Sequence, residues 1–185
     1  MTFDSAGSVP WMDRMRRVES EWLAPDDVVS QVCAHYLEAV EWMQNATVSR
    51  SARLWAMSPL FLSGVYAQRC YDMLMEQKRS PRAIGVLRAD HRAEARYFSP
   101  TGSYCHLIDT QIGRRMATYD PATMQRTTTQ DLGSAVMVYL MRYDGRDQRW
   151  KINAFVNELP LTWNTQYQLI QPPFSGSVNH IGRDS

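Results

Sequence analysis

The residues best suited to chemistry lie on one predicted strand, where a histidine and a tyrosine share a face with small apolar side chains. Within residues 88–97, that face carries Ala89, His91, Ala93, Ala95 and Tyr97. Successive strand residues point to opposite sides, so the charged residues between them lie on the other face. If the alanine face looks inward, its small side chains leave space. A neutral imidazole beside that space is suited to act as a general base.

This pattern predicts a small-molecule site, in which a few polar groups converge on a largely apolar pocket. We assign two catalytic residues, His91 and Tyr97. We assign ligand binding to Tyr36, Ala93, Ala95 and Trp150. The competing interpretation is a packed core, in which the alanines make room for helices and His91 is hydrogen-bonded. Histidine is partly buried in many proteins, so the sequence alone favours this second interpretation.

Neither a metal site nor a cofactor site is expected. The histidines are scattered, without the spacing of neighbours on a helix: His35, His91, His106 and His180. Cys105 and His106 are adjacent on a predicted strand, so their side chains point to opposite faces. They therefore cannot share a metal ion or form a nucleophilic pair. The sequence contains no glycine-rich phosphate loop of a known form.

The predicted strands and helices that position these residues end in a β-hairpin. Its strands, Ala135–Tyr143 and Arg149–Asn157, flank the turn signal Asp144-Gly145, whose residues both tolerate positive φ. The first strand is apolar on both faces, which indicates that it is covered on both sides. Pro160 cannot donate a hydrogen bond to a ladder and is expected to end the sheet.

This hairpin resembles the end of the NTF2-like superfamily, which includes ketosteroid-isomerase-like, polyketide-cyclase-like and SnoaL-like proteins. The matching features are the apolar strand, the acidic-Gly turn, Arg149-Trp150-Lys151-Ile152 and then Phe155. With the order of elements, helices first and sheet after, the resemblance covers residues 26–160. It implies an α+β fold, with N-terminal helices packed in the concave face of a strongly bent antiparallel sheet that forms a cone. The same cone hosts many unrelated activities, so this fold does not specify a function.

The rest of the chain fits that order of elements. Residues 26–43 carry one apolar stripe at helical spacing, and helices are predicted over 47–57 and 59–78. Gly64 lies inside the last of these helices and lowers its helix propensity, which indicates the close approach of another element. Beyond residue 83, long alternating segments joined by short turns predict an antiparallel meander with a bulge near 85–88.

We divide the chain into an N-terminal arm (1–25), an NTF2-like domain (26–160) and an extended C-terminal tail (161–185). The apolar residues of the arm recur at helical spacing and predict a short amphipathic helix: Trp11, Met15, Val18 and Trp22. We expect this helix to pack on the domain. Docking on a second subunit and lying on a membrane surface are the alternatives.

Composition argues against several classes of protein. A net charge of +1 over 185 residues argues against a dedicated nucleic-acid surface. The sequence shows no membrane span and no secretion signal, and its three cysteines form no disulfide framework. Arginine far outnumbers lysine, which we attribute to a bacterial genome composition. We therefore expect a cytoplasmic bacterial protein.

Three functions are compatible with these features. The first is a non-enzymatic module that binds a small apolar ligand or a protein partner. It would be a homodimer through the outer sheet face, with Tyr139, Met141 and Phe155 as outward apolar surface. The second is an isomerase, dehydratase or cyclase that uses His91 and Tyr97. The third is an assembly factor resembling the NTF2-like periplasmic domain of type IV secretion, which normally follows a membrane anchor. The lack of a recognised catalytic motif favours the first.

Overall fold

The N-terminal arm folds as a small β-hairpin. The computed structural model describes residues 9–156 apart from 50, 80 and 82. A single 3-10 turn at Met12–Arg14 leads into strands β1 (Arg16–Val18) and β2 (Glu21–Leu23), which pair antiparallel. The hairpin is held to the main sheet by Glu21, which accepts hydrogen bonds from the Arg96 guanidinium at 3.2 and 2.9 Å.

The amphipathic helix predicted over the arm is therefore wrong, because its apolar residues contact different partners. Trp11 is buried and stacks on Trp150, with ring centroids 5.6 Å apart. Trp22 forms an antiparallel bridge with Phe98. Val18 is 51% exposed. The side chains with helical spacing thus do not share one buried face.

Helix α1 (Asp26–Ser49) provides most of the contact between the helices and the sheet. It begins with Asp26 and Asp27, whose charges interact favourably with the positive end of the helix dipole. Its buried residues repeat at helical spacing: Val28, Val32, Tyr36, Ala39, Trp42 and Ala46. The helix continues to Ser49 instead of fading near residue 44, and its side chains pack into the main core.

The second half of the helical layer is broken into three pieces, α2 (Ala52–Ala56), α3 (Ser58–Phe61) and α4 (Gly64–Arg79). The single helix predicted over 59–78 is therefore wrong. Leu62 is extended and forms a parallel bridge with Ile152, and the backbone N–H of Ser63 donates to the Ile152 carbonyl at 2.9 Å. Pairing with a strand thus overrides the local helical pattern.

Four long strands form one antiparallel meander. They are β3 (Ile84–Arg96), β4 (Tyr104–Tyr119), β5 (Arg126–Asp144) and β6 (Arg149–Phe155), in that spatial order. The helices pack against one face of this sheet, so the chain has the α+β class predicted from its sequence. The predicted irregularity in β3 lies between Arg88 and Asp90, where the register with β4 shifts. Strand residue Asn157, Pro160 and the predicted tail 161–185 lie outside the described residues.

The outer face of the sheet does not carry the apolar residues that were predicted for it. Tyr139 and Met141 are 7% and 0% exposed and belong to the main core with the helices, and Phe155 packs against that core. The expectation that these side chains form an outward apolar surface is therefore wrong. The smaller apolar cluster on the opposite face contains Ile108, Val136 and Val138, packed with Tyr97 and Val156. Homodimerisation through the outer face stays a prediction, without support from the residues first chosen for it.

One edge of the sheet is only partly paired among the described residues. Strand β6 pairs with β5 from Tyr139 to Asp144, so the preceding half of β5 has a ladder partner only on its β4 side. In that half the register with β4 skips Thr127 and Leu132, and Gly133 adopts a φ of 66°. Residues 126–131 are all exposed. This edge is therefore irregular as well as open to solvent.

Gly64 adopts a φ of 53° and allows a test of the break between α3 and α4. A Cβ atom there would lie 2.4 Å from Oδ1 of Asn153 on β6, as the predicted close approach requires. We expect Gly64→Ala to lower the free energy of unfolding by about 1–3 kcal/mol, because the backbone conformation is strained for alanine and Asn153 must move.

Urea denaturation measures this change, with Gly145→Ala as the matched control. A Cβ atom at Gly145 meets no atom within 4 Å. The control is expected to change stability by less than about 0.5 kcal/mol. Equal stability changes in the two variants would contradict the close packing of α4 on β6.

Candidate functional site

The pairing of β3 with β4 brings a histidine and an aspartate together on the face that meets the helices. The register places His91 opposite Gln111 and Ala93 opposite Asp109. His91 and Asp109 are therefore diagonal neighbours on one face, within reach of each other. Tyr36 approaches the same point from the buried stripe of α1.

These residues form a hydrogen-bond network centred on one carboxylate oxygen. Oδ2 of Asp109 accepts from the Tyr36 hydroxyl at 2.7 Å and from the Gln111 Nε2 at 2.9 Å. It also lies 2.7 Å from His91 Nδ1. The side chain of Asp109 is completely buried, and that of His91 is 13% exposed. One buried oxygen thus connects α1, β3 and β4.

The network fixes which atoms of each side chain remain available. Because Oδ2 already accepts two hydrogen bonds, we assign the histidine proton to Nδ1, which then donates a third. His91 Nε2 is left as an acceptor. The Gln111 amide donates through Nε2, so its Oε1 is also left as an acceptor. His91 Nε2, Gln111 Oε1 and Asp109 Oδ1 are buried and have no hydrogen-bond partner among the described residues.

A cavity of about 60 Å³ adjoins this network. Its apolar lining includes Val40, Met43 and Val86, and its polar lining comes from Tyr36, Gln44, Thr47, Tyr66, His91, Gln111 and Tyr139. This volume holds a few water molecules, and it is less than half of the roughly 150 Å³ that accommodates benzene in an engineered apolar cavity. The cavity therefore suits a very small molecule or the end of a larger one.

The tyrosines beside the cavity are expected to keep their protons at neutral pH. Burial raises the pKa of Tyr36, Tyr66 and Tyr139 well above the usual range for a phenol. The carboxylate of Asp109 raises the pKa of Tyr36 and Tyr139 further. These groups are thus hydrogen-bond donors and not bases, which leaves His91 Nε2 as the basic atom at the cavity.

The structure brings together two of the residues predicted for the site, His91 and Tyr36, whose ring centroids lie 6.4 Å apart. Ala95 lies in the same core and Ala93 packs against it, as predicted for the inward face. Neither alanine lines the cavity, whereas His91 does.

Tyr97 and Trp150 lie away from the cavity. Tyr97 follows the end of β3 with a φ of 52°, which breaks the alternation, and its ring packs with the outer cluster and edge-on against His106. The predicted pairing of Tyr97 with His91 is therefore not found. Trp150 is buried in an aromatic group with Trp11 and Tyr143, beneath the N-terminal arm.

Asp109, at the centre of the network, was not among the predicted site residues, although the sequence carries a signal for it. Asp109 has the same strand parity as Cys105 and Leu107, both of which are buried. A carboxylate on the apolar face of a strand must find donors, because an unpaired buried charge is strongly unfavourable. Parity alone therefore marks Asp109 as a residue with buried partners, whereas the partners themselves follow only from the strand register.

In the part of the chain that the structure describes, no three His, Cys, Asp or Glu side chains are grouped so as to hold a metal ion. No described helix combines the length and the apolarity needed to cross a membrane. Burial raises the pKa of the thiols of Cys33, Cys70 and Cys105, which disfavours the reactive thiolate. The hydrogen-bond network around Asp109 is therefore the candidate functional site.

Comparison with known proteins assigns no family to the chain. No protein-family model matches the sequence, and no curated protein matches it. Among solved structures, the chain is similar to the intermembrane space region of the chloroplast protein ARC6, with a TM-score of 0.48 and 13% sequence identity. The match covers 67% of this chain and 94% of that chain. Similarity at this level assigns neither a family nor a function.

The network makes a prediction about stability. Tyr36→Phe removes one donor from the buried Asp109 carboxylate, so we expect the free energy of unfolding to fall by about 1–3 kcal/mol. Tyr71→Phe is the matched control, because Tyr71 is 57% exposed. Urea denaturation measures both variants, and the control should stay within about 0.5 kcal/mol of the unmodified protein. An unchanged stability of Tyr36→Phe would contradict a structural dependence on this hydrogen bond.

Proposed function

We propose that this chain is an NTF2-like domain that binds a small ligand and does not turn it over. The observation that carries the proposal is a pair of buried acceptors, His91 Nε2 and Gln111 Oε1, without partners among the described residues and on side chains that line one cavity. Buried polar groups are normally hydrogen-bonded, so such atoms mark a place where a partner binds.

The NTF2-like assignment is supported by the order and packing of the elements. Helices precede a four-stranded antiparallel meander and cover one of its faces. The closing hairpin carries the Asp144-Gly145 turn and the Arg149-Trp150-Lys151-Ile152 strand through which the sequence resembles that superfamily. The cavity lies between α1 and α4 on one side and strands β3, β4 and β5 on the other.

Size and polarity narrow the ligand. The cavity of about 60 Å³ is too small for a ring the size of benzene, so a large ligand would insert only one end. The polar atoms at its wall argue against the purely apolar ligand expected from the sequence. A ligand whose polar end reaches His91 and Gln111 satisfies groups that otherwise stay unpaired.

Blocking the cavity tests this function. Val40 lines it from α1, and Val40→Phe would occupy part of its volume. Val65→Phe makes the same substitution at a residue that is 66% exposed. We titrate acetamide, sodium acetate, methanol and methylammonium chloride separately into protein with ¹⁵N-labelled histidine, and follow the His91 side chain by NMR.

The expected result is a saturable shift of the His91 signals by at least one probe in the unmodified protein and in Val65→Phe, and its loss in Val40→Phe. His106 lies on the opposite sheet face and serves as an internal control, because its signals should not move. If no probe moves the His91 signals, or if Val40→Phe responds like Val65→Phe, the cavity is not a ligand site.

A second candidate function is acid–base catalysis, which the contact between His91 and Asp109 specifically favours. A carboxylate that accepts from Nδ1 fixes the tautomer and orientation of an imidazole and leaves its Nε2 as a proton acceptor. The protonated phenol of Tyr139 lines the same cavity and can donate to a developing oxyanion. These groups suit removal of a proton next to a carbonyl group.

Proton exchange tests this alternative without knowledge of the substrate. We incubate the protein with acetone-d6 in water and follow the appearance of C–H signals by ¹H NMR. Catalysis predicts exchange at least about 10²-fold faster with the unmodified protein than with His91→Gln. His106→Gln is the control and should match the unmodified protein. Equal rates in all three would exclude a general base acting on this probe and leave binding as the function.

A further inference from the structure

The buried polar atoms of the Asp109 network that lack a partner among the described residues are all acceptors. His91 Nε2 is an acceptor because Nδ1 donates to Asp109, and Gln111 Oε1 is an acceptor because Nε2 donates to the same carboxylate. Oδ1 of Asp109 is a third buried acceptor without a partner among the described residues. Asp109 thus turns two amphoteric side chains so that their acceptor ends remain free.

Aromatic faces surround the same space. Tyr36, Tyr66 and Tyr139 all line the cavity, and the ring centroid of Tyr139 lies 5.3 Å from that of Tyr36 and 6.1 Å from that of Tyr66. Met43 adds a polarizable thioether to the wall. Aromatic faces attract organic cations, and this attraction grows where water is excluded.

We propose that the cavity binds the protonated primary amine end of a small molecule; this inference rests on the proposed function of the same cavity. An ammonium group brings three N–H donors and no acceptor, which matches acceptors whose own donor ends are already engaged. It also brings a positive charge beside the buried carboxylate of Asp109, where the low dielectric strengthens the attraction. The volume of about 60 Å³ suits an ammonium group and the carbon that carries it.

A buried cationic group bears on this assignment. Arg114 is 4% exposed, interacts electrostatically with Tyr139 and has no partner for its Nε atom among the described residues. Arg114 does not line the cavity. Its charge opposes a bound cation and would favour a bound anion, so its removal separates the two kinds of ligand.

The experiment compares three probes of similar size on the full chain: methylammonium chloride, methanol and sodium acetate, at matched ionic strength. Binding is measured from the His91 side-chain ¹⁵N signals, with His106 as the internal control. We expect methylammonium to bind at least about tenfold more tightly than methanol, because only methylammonium interacts with the charge of Asp109. Acetate is expected not to bind.

Two variants test the electrostatic origin of that preference. Asp109→Asn keeps the shape and removes the charge, so it should weaken methylammonium binding by at least about tenfold more than it weakens methanol binding. Arg114→Gln should strengthen methylammonium binding by roughly threefold or more, without an effect on methanol. A purely structural role of either residue would change the binding of both probes alike.

The outcomes distinguish this inference from the function on which it rests. Binding of acetate or methanol in preference to methylammonium, or weaker methylammonium binding in Arg114→Gln, overturns the amine assignment while the cavity remains a ligand site. Failure of all probes to move the His91 signals overturns both. If Asp109→Asn does not fold, the probe comparison in the unmodified protein and in Arg114→Gln still decides the question.

Discussion

Asp109 is completely buried, and its Oδ2 atom is contacted by side chains from one helix and two strands. Removing a carboxylate from water is unfavourable by several kcal/mol even after the surroundings relax. Three hydrogen bonds offset that penalty only if Tyr36, His91 and Gln111 are all in place. The position of α1 on the sheet and the register of β3 with β4 are therefore tied to one atom. A sequence with leucine at this position would pack more simply, but it would leave His91 and Gln111 without their shared acceptor.

The same constraint determines what the cavity presents to a ligand. An imidazole and a primary amide each have a donor end and an acceptor end, and either end can face a ligand. The carboxylate engages the donor end of each, so their remaining atoms are acceptors. The irregularity between Arg88 and Asp90 precedes His91 and sets the parity that directs its ring toward the helices. A local defect in a strand and a buried charge thus act together to define the polarity of the site.

Local signals in the sequence predicted much of the fold and little of the site. The apolar stripe of α1, the Asp144-Gly145 turn and the close approach at Gly64 each depend on neighbouring residues, and all three are present in the structure. The errors concern contacts between distant segments. Trp11 packs on Trp150 and does not belong to the predicted amphipathic helix. Residues 62–63 pair with β6 and so interrupt the helix that was predicted over 59–78.

The site itself depends on register, which the sequence does not specify. His91 and Tyr36 were predicted because their types and strand or helix faces are readable locally. Asp109 and Gln111 acquire their roles only when β4 is aligned with β3. Tyr97 was assigned to the wrong face because one backbone dihedral, a φ of 52°, ends the alternation that the pattern had assumed. A single strained residue can therefore change which side chains meet, although it leaves the composition of the strand unchanged.

Among the described residues, the half of β5 that precedes Tyr139 pairs only with β4, which matters for the behaviour of the protein at high concentration. An unpaired strand offers backbone donors and acceptors to any other extended chain, and the threonine-rich residues 127–129 favour extended structure. The residues skipped at Thr127 and Leu132 interrupt the regular spacing of those groups. A second chain can align with only a few consecutive residues before the spacing of hydrogen-bonding groups no longer matches. The exposed strand carries neither a proline nor a lysine, so it is this irregular spacing that suppresses the growth of intermolecular β-sheets.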